Sequence, residues 1–252
     1  MASFWSRRLS MATALVVGLA GAGVGAGTAM AAAGQSGQPA NRAEIEAIVR
    51  EYILNHPEII PEAVARLEQA EARKALAANR EAIETPFPGA VAGNPKGDVK
   101  LVVFFDYACP YCRQGHADVQ KLVSEDRRLT VIYRDFPVLS PASSEAAMAS
   151  LSAATQGGYA KFHNAMFESP GRVSLARTMG IVKGVGLSED KVTGDLKNPA
   201  LRAELDRNLA LGRALGLTGT PSYIIGNRIL SGAVGYDQLK AAVASARAEK
   251  GR

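Results

Sequence analysis

Cys109 and Cys112 are the only cysteines in the 252-residue chain, and they stand in the tetrapeptide Cys-Pro-Tyr-Cys. Two thiols at this spacing can close one local disulfide and can exchange it with the disulfides of other molecules. As a structural staple the pair would be weak, because a bridge across so short a loop removes little entropy from the unfolded chain. The spacing therefore points to redox chemistry.

The residues on either side sharpen that reading. Val99 to Phe105 is a nearly continuous apolar run, the pattern of a strand buried on both faces, and a helical pattern then runs from the cysteines to about Arg127. At such a junction the free amide N–H groups and the positive end of the helix stabilise a thiolate, so Cys109 is expected to have a lowered pKa, to be the more exposed sulfur and to attack. Pro110 suits the first helical turn, where no N–H is needed, and Tyr111 lies beside it. Cys112, one turn deeper, is placed to attack the mixed disulfide and release the client.

Two further groups can tune the pair: Asp106, a loop or capping acid, and His116, which shares a helix face with Cys112 at i, i+4. The same donors allow a rival reading from another class, a soft-metal (copper) binding protein using both thiolates and His116. The redox reading needs no bound cofactor and no metal, since the Cys109–Cys112 disulfide is itself the redox group. Haem attachment is excluded because Arg113 follows Cys112.

The elements that position these residues follow from the rest of the chain. Residues 1–33 read as a cleaved export signal, with Arg7 and Arg8 as its positive region, an apolar stretch from Met11 to Ala26 and small-residue cleavage sites near Ala31. The two arginines fit either an ordinary signal or a twin-arginine one. Removing them takes the formal net charge from +5 to +3, which describes a solvated surface and no nucleic-acid footprint. Residues 34–84 form a helical segment. In it Ile45, Ile48, Val49, Tyr52 and Ile53 make one apolar stripe, Pro57 stops the first helix, and a second helix runs from about Pro61 to Ile83 with Val64 and Leu67 as its clearest contacts. Helices this poor in apolar surface must pack on the main domain or on copies of themselves. Residues 85–98, with three prolines and three glycines, read as a linker.

After the cysteine helix, Leu129 to Phe136 is a second strand, giving a βαβ unit. Residues 141–217 are alanine-rich and helical, with Phe162, Met166 and Phe167 expected in the core and His163 half-buried. Ser222 to Ile225, Gly226-Asn227 and Arg228 to Leu230 read as a hairpin, and a helix from Tyr236 to about Ala248 closes the chain. Just before the hairpin lies Gly219-Thr220-Pro221-Ser222. A proline at a strand start loses no ladder bond and is a candidate cis peptide, and the backbone before it can pair with an extended substrate.

Together, Phe-Phe-Asp-Tyr-Ala-Cys-Pro-Tyr-Cys, the helical insertion and Gly-Thr-Pro-Ser-Tyr-Ile-Ile-Gly-Asn resemble the DsbA-like thioredoxin family from Val99 onward. The stretch Ile45 to Glu58 is similar to the N-terminal extension of its ScsC branch, some of whose members oligomerise through that extension and isomerise disulfides. The resemblance implies an α/β thioredoxin fold (99–140 and 218–252) with an inserted helical domain (141–217) and an N-terminal helical extension. It implies a periplasmic thiol-disulfide oxidoreductase with nucleophile Cys109, resolving Cys112, and Thr220 and cis-Pro221 at the substrate groove. The partners it implies are unfolded or misfolded exported proteins, a membrane or periplasmic redox partner, and other copies in a dimer or trimer. The N-terminal helices favour isomerase over oxidase. One position departs from the pattern: where thioredoxin-like proteins often carry a buried acid, six residues before the first cysteine, this chain has Val103. Either Asp106 or a water then serves Cys112, or Cys112 deprotonates slowly.

Overall fold

The computed structural model describes residues 41–251, so the expected export signal lies outside the described residues. The described chain divides after His56 into two units.

The first unit contains α1 (Arg42–Asn55). Its first turn is capped by the side chain of Asn41, which accepts from the Ala43 amide at 3.4 Å, and it ends two residues before Pro57 as the proline requires. No residue of α1 is buried. Ile45, Ile48, Val49 and Tyr52 stand 46–62% exposed along one stripe.

The second unit carries the remaining elements: α2 (Ile59–Ala78), α3 (Arg80–Glu84), β1 (Val91–Gly93), β2 (Val99–Phe105), α4 (Pro110–Glu125) and β3 (Leu129–Asp135). Five helices follow, α5 (Pro141–Thr155), α6 (Tyr159–Glu168), α7 (Leu175–Gly184), α8 (Glu189–Asp195) and α9 (Pro199–Ala214). Then come β4 (Ser222–Ile225), β5 (Arg228–Ser231) and α10 (Tyr236–Lys250). The strands form one sheet in the order β1-β3-β2-β4-β5, with β2 and β3 parallel and the other pairs antiparallel. A βαβ unit followed by a hairpin and a helix, with helices inserted between, is the thioredoxin arrangement that the resemblance implies.

The apolar run of β2 is explained by two cores. Leu101, Val103 and Phe105 face one side, with Val119 and Leu122 of α4, Leu239 and Val243 of α10, and Phe162 and Met166 of α6. Val102 and Phe104 face the other, with Leu211 and Leu215, and with Leu76 and Ile83. Successive residues of a strand point to opposite faces, so a strand covered on both sides has no polar alternation to show.

That second core redraws the expected boundaries. Leu76 and Ile83 are fully buried, so the end of α2 and all of α3 belong to the sheet domain, whereas Ile60, Val64 and Leu67 nearer the start of α2 stay exposed. The buried guanidinium of Arg134 clasps the segment, donating to the carbonyls of Ala82 at 2.5 Å, Ile83 at 3.3 Å and Thr85, and across to Asn208 at 3.1 Å and Glu204 at 3.3 Å. The single helix expected to Ile83 breaks at Asn79, whose side-chain amide donates to Ala75 O at 2.8 Å. The expected linker 85–98 contains β1, which pairs with β3 through Val91 and Ile132. Gly93 there has φ +72°, and a Cβ on it would overlap Leu129 O, so the glycine serves the pairing as well as the turn.

Candidate active site

Cys109 is the N-cap of α4, in extended conformation, and Pro110 is the first helical residue. The pair is in the dithiol form. The Cys109 thiol donates to Thr220 O at 3.2 Å, and the Thr220–Pro221 peptide is cis. The carbonyl of Pro221 accepts from Gly232 N at 2.8 Å and Ser222 Oγ donates to Gly219 O at 2.8 Å, which fixes the loop that faces Cys109. Tyr111 projects into solvent, 62% exposed.

Both cysteines are buried, Cys109 at 5% and Cys112 at 3% exposure, so the expected contrast in access is small. The reason is the Thr220 carbonyl lying against Cys109 Sγ. Burial pushes the Cys112 thiol far above its ordinary pKa. Cys112 is therefore protonated at neutral pH.

Asp106 is committed elsewhere. One carboxyl oxygen accepts from Ala108 N at 2.8 Å and the other from Val138 N and Leu139 N, both at 3.0 Å. It ties the cysteine loop to the connection between β3 and α5.

His116 is buried on α4, stacked on Phe167 with ring centroids 5.0 Å apart and 5.2 Å from His163. Burial, with the nearby Arg113 guanidinium, lowers its pKa to about 4. Among the described residues no three His, Cys, Asp or Glu side chains are grouped so as to hold a metal ion, the set Cys109, Cys112 and His116 included.

Three residues that the sequence reading did not assign to the site shape it. A Cβ on Gly115 would overlap Tyr223 Oη and touch the ring of Pro221, so glycine is what lets α4 settle onto β4 and the cis-proline loop. Tyr223, a strand residue by type, forms the other side of that contact. His163 was expected half-buried, yet it is 2% exposed, its Nδ1 3.1 Å from Tyr107 Oη and its ring among those of Phe105, Tyr133 and Tyr159. Phe162, Met166 and Phe167 are core residues.

A groove of about 560 Å³ opens beside Cys109, lined also by Pro110, Arg113, Leu139, Arg172 and Val173. Exposed apolar side chains (Tyr111, Val138, Leu139 and Leu175) lie on the elements and loops that border it. A thiol against a carbonyl at the edge of an open groove is an arrangement that admits an extended peptide disulfide.

A family model described as DSBA-like thioredoxin domain matches residues 100–244, more than half of the chain. The chain belongs to the DsbA-like thioredoxin family. A second model, described as the copper resistance protein ScsC N-terminal domain, matches residues 41–74. Among solved DsbA-like relatives, a thioredoxin-like oxidoreductase from Silicibacter pomeroyi is 40% identical, with TM-score 0.61, covering 63% of this chain and 91% of that one. A linker-deletion variant of Proteus mirabilis ScsC is 29% identical with TM-score 0.70, covering 86% of this chain and 100% of that one. The thiol-disulfide exchange protein alpha-DsbA2 from Wolbachia pipientis is 28% identical with TM-score 0.65, covering 70% and 96%. The chain spans about a quarter of the length of the curated relatives it matches, which are named as Na(+)/H(+) antiporters of NhaA type.

Proposed function

We propose that the chain is a periplasmic thiol-disulfide oxidoreductase that exchanges disulfides with exported proteins, working as an oligomeric isomerase. The observation that carries this reading is the Cys109 thiol at a helix N-terminus, 3.2 Å from the carbonyl before cis-Pro221 and beside an open groove. A client disulfide laid along that carbonyl presents its sulfur to Cys109; the mixed disulfide forms, and Cys112 resolves it. Unfolded or misfolded exported proteins are the clients, and a membrane or periplasmic redox partner resets the dithiol.

The isomerase direction is supported by the N-terminal helices. The α1 stripe of Ile45, Ile48, Val49 and Tyr52 buries nothing, and Ile60, Val64 and Leu67 on α2 are 48–59% exposed. Apolar rows at helical spacing, left in water, fit a second copy of the same helices. A dimer or trimer built so holds several active sites around one client, which suits repeated attack on wrong disulfides.

The test is reactivation of a scrambled multi-disulfide protein by the mature chain, in a glutathione buffer with metal chelated. Reactivation that requires Cys109 establishes the isomerase. Failure, with rapid oxidation of a reduced client, makes the protein an oxidase; inactivity in both overturns the exchange reading.

A further inference from the structure

Beneath the cysteines lies a group that the exchange steps above leave unused. His116 is 8% exposed, and neither of its ring nitrogens has a hydrogen-bond partner among the described residues. A buried polar group without a partner costs on the order of 1–3 kcal/mol, so its retention calls for a chemical reason. The imidazole lines a small cavity together with Cys112 and Val103, and the cavity offers about 10 Å³ to the centre of a water. That is about the least space that holds one water. Val103, the position without the usual acid, thus lines the same space as His116. The other acid considered, Asp106, has both oxygens occupied by the amides of Ala108, Val138 and Leu139.

We propose that His116 is the proton acceptor for Cys112 when the mixed disulfide is resolved, acting through one water in this cavity. The proposal rests on the exchange reading above. In the step, the Cys112 S–H proton passes to the water as the water gives a proton to a His116 nitrogen. Cys112 Sγ bonds to Cys109 Sγ, the bond between Cys109 Sγ and the client sulfur breaks, and the client leaves as a thiolate. The imidazolium then returns its proton through the water to solvent, and the thiolate takes one up. Cys112 is oxidised and the client sulfur is reduced, with no other oxidant.

The surroundings leave the imidazole able to accept a proton, though as a weak base that passes it on at once. Burial and then Arg113 keep the imidazole neutral down to about pH 4, so its lone pair is present at neutral pH and any imidazolium is short-lived. The titratable and charged side chains around it are Cys112 and Arg113 on its own helix, His163 on α6, Tyr133 on β3 and Tyr223 on β4. Burial holds both phenols protonated and that of His163 holds its ring neutral, so none competes as a charged acceptor.

Stopped-flow mixing of the reduced full chain with a chromogenic aryl disulfide separates the two steps, since attack by Cys109 releases one coloured thiol and resolution by Cys112 releases the second. In His116→Gln the first release is expected unchanged and the second slowed about tenfold or more, within the range of general-base effects. Adding Val103→Glu, an acid on the same cavity, is expected to restore the second release and make it titrate. An unchanged second release, or equal slowing of both, overturns the proposal. Absence of the first release in the unsubstituted chain overturns the exchange reading instead. Should His116→Gln not fold, a solvent deuterium isotope effect on the unsubstituted chain decides: a normal effect is expected on the second release and not on the first, and its absence from the second overturns the proposal.

Discussion

Gly115 lies where any side chain would overlap the hydroxyl of Tyr223. The cysteine helix and the strand after the cis-proline loop approach so closely only because that position is bare. Gly115→Ala is expected to push α4 off β4, with an overpacking cost of about 1–3 kcal/mol. A chain of this size should lose roughly 2–4 °C in Tm per kcal/mol. The check is thermal unfolding alongside exchange rate, and both should fall because the same contact spaces Cys109 from Thr220.

The two cysteines should fail differently. Cys109→Ser is expected to abolish exchange, whereas Cys112→Ser is expected to attack at the normal rate and accumulate mixed disulfides with clients. Trapping and mass measurement of the adducts distinguish them; full turnover by either variant would reverse the roles.

Truncation separates assembly from folding. A chain beginning at Lys74 keeps Leu76, Ile83 and the carbonyls that Arg134 binds, so it is expected to be monomeric, stable and competent in exchange. A chain beginning at Thr85 loses both buried side chains, each worth about 2–5 kcal/mol in such a core, and leaves Arg134 short of partners. It is expected to unfold far more readily. Light scattering and denaturant titration of the two chains give the comparison.

Asp135 gives a pH signature. Burial raises its pKa to about 8 against an ordinary 3.8, with Ser150 donating to its carboxyl at 2.8 Å. Its pKa is higher folded than unfolded, so between pH 4 and 8 the unfolded chain releases the proton and the native chain keeps it. The stabilisation is complete below pH 4, lost progressively to about pH 8 and level above. Asp135→Asn should remove this dependence, so the variant gains on the parent through that window by an amount on the order of several kcal/mol. Denaturant midpoints at pH 5, 7 and 9 test it.

Local signals were legible in the sequence. Cys-Pro-Tyr-Cys after an apolar run, proline at the first helical position and Thr-Pro before a short strand each state their geometry within a few residues. What stayed hidden depends on distant partners. Leu76 and Ile83 are two apolar residues among alanines, and only the uncovered face of β2 explains them. The three residues of β1 sit amid glycine and proline that read as loop. Gly115 carried no signal of its own and His163 read as only half-buried, until Tyr223 and a ring of aromatics arrived from elsewhere in the chain.

Asp106 has a consequence for client choice. By joining the Ala108 amide to those of Val138 and Leu139, it sets the peptide that carries Cys109 in advance of any docking. Little ordering of that loop is left to oppose docking, which preserves affinity for short segments. A site prepared in this way discriminates poorly by closure, which, under the proposed exchange function, suits acceptance and release of many unrelated sequences.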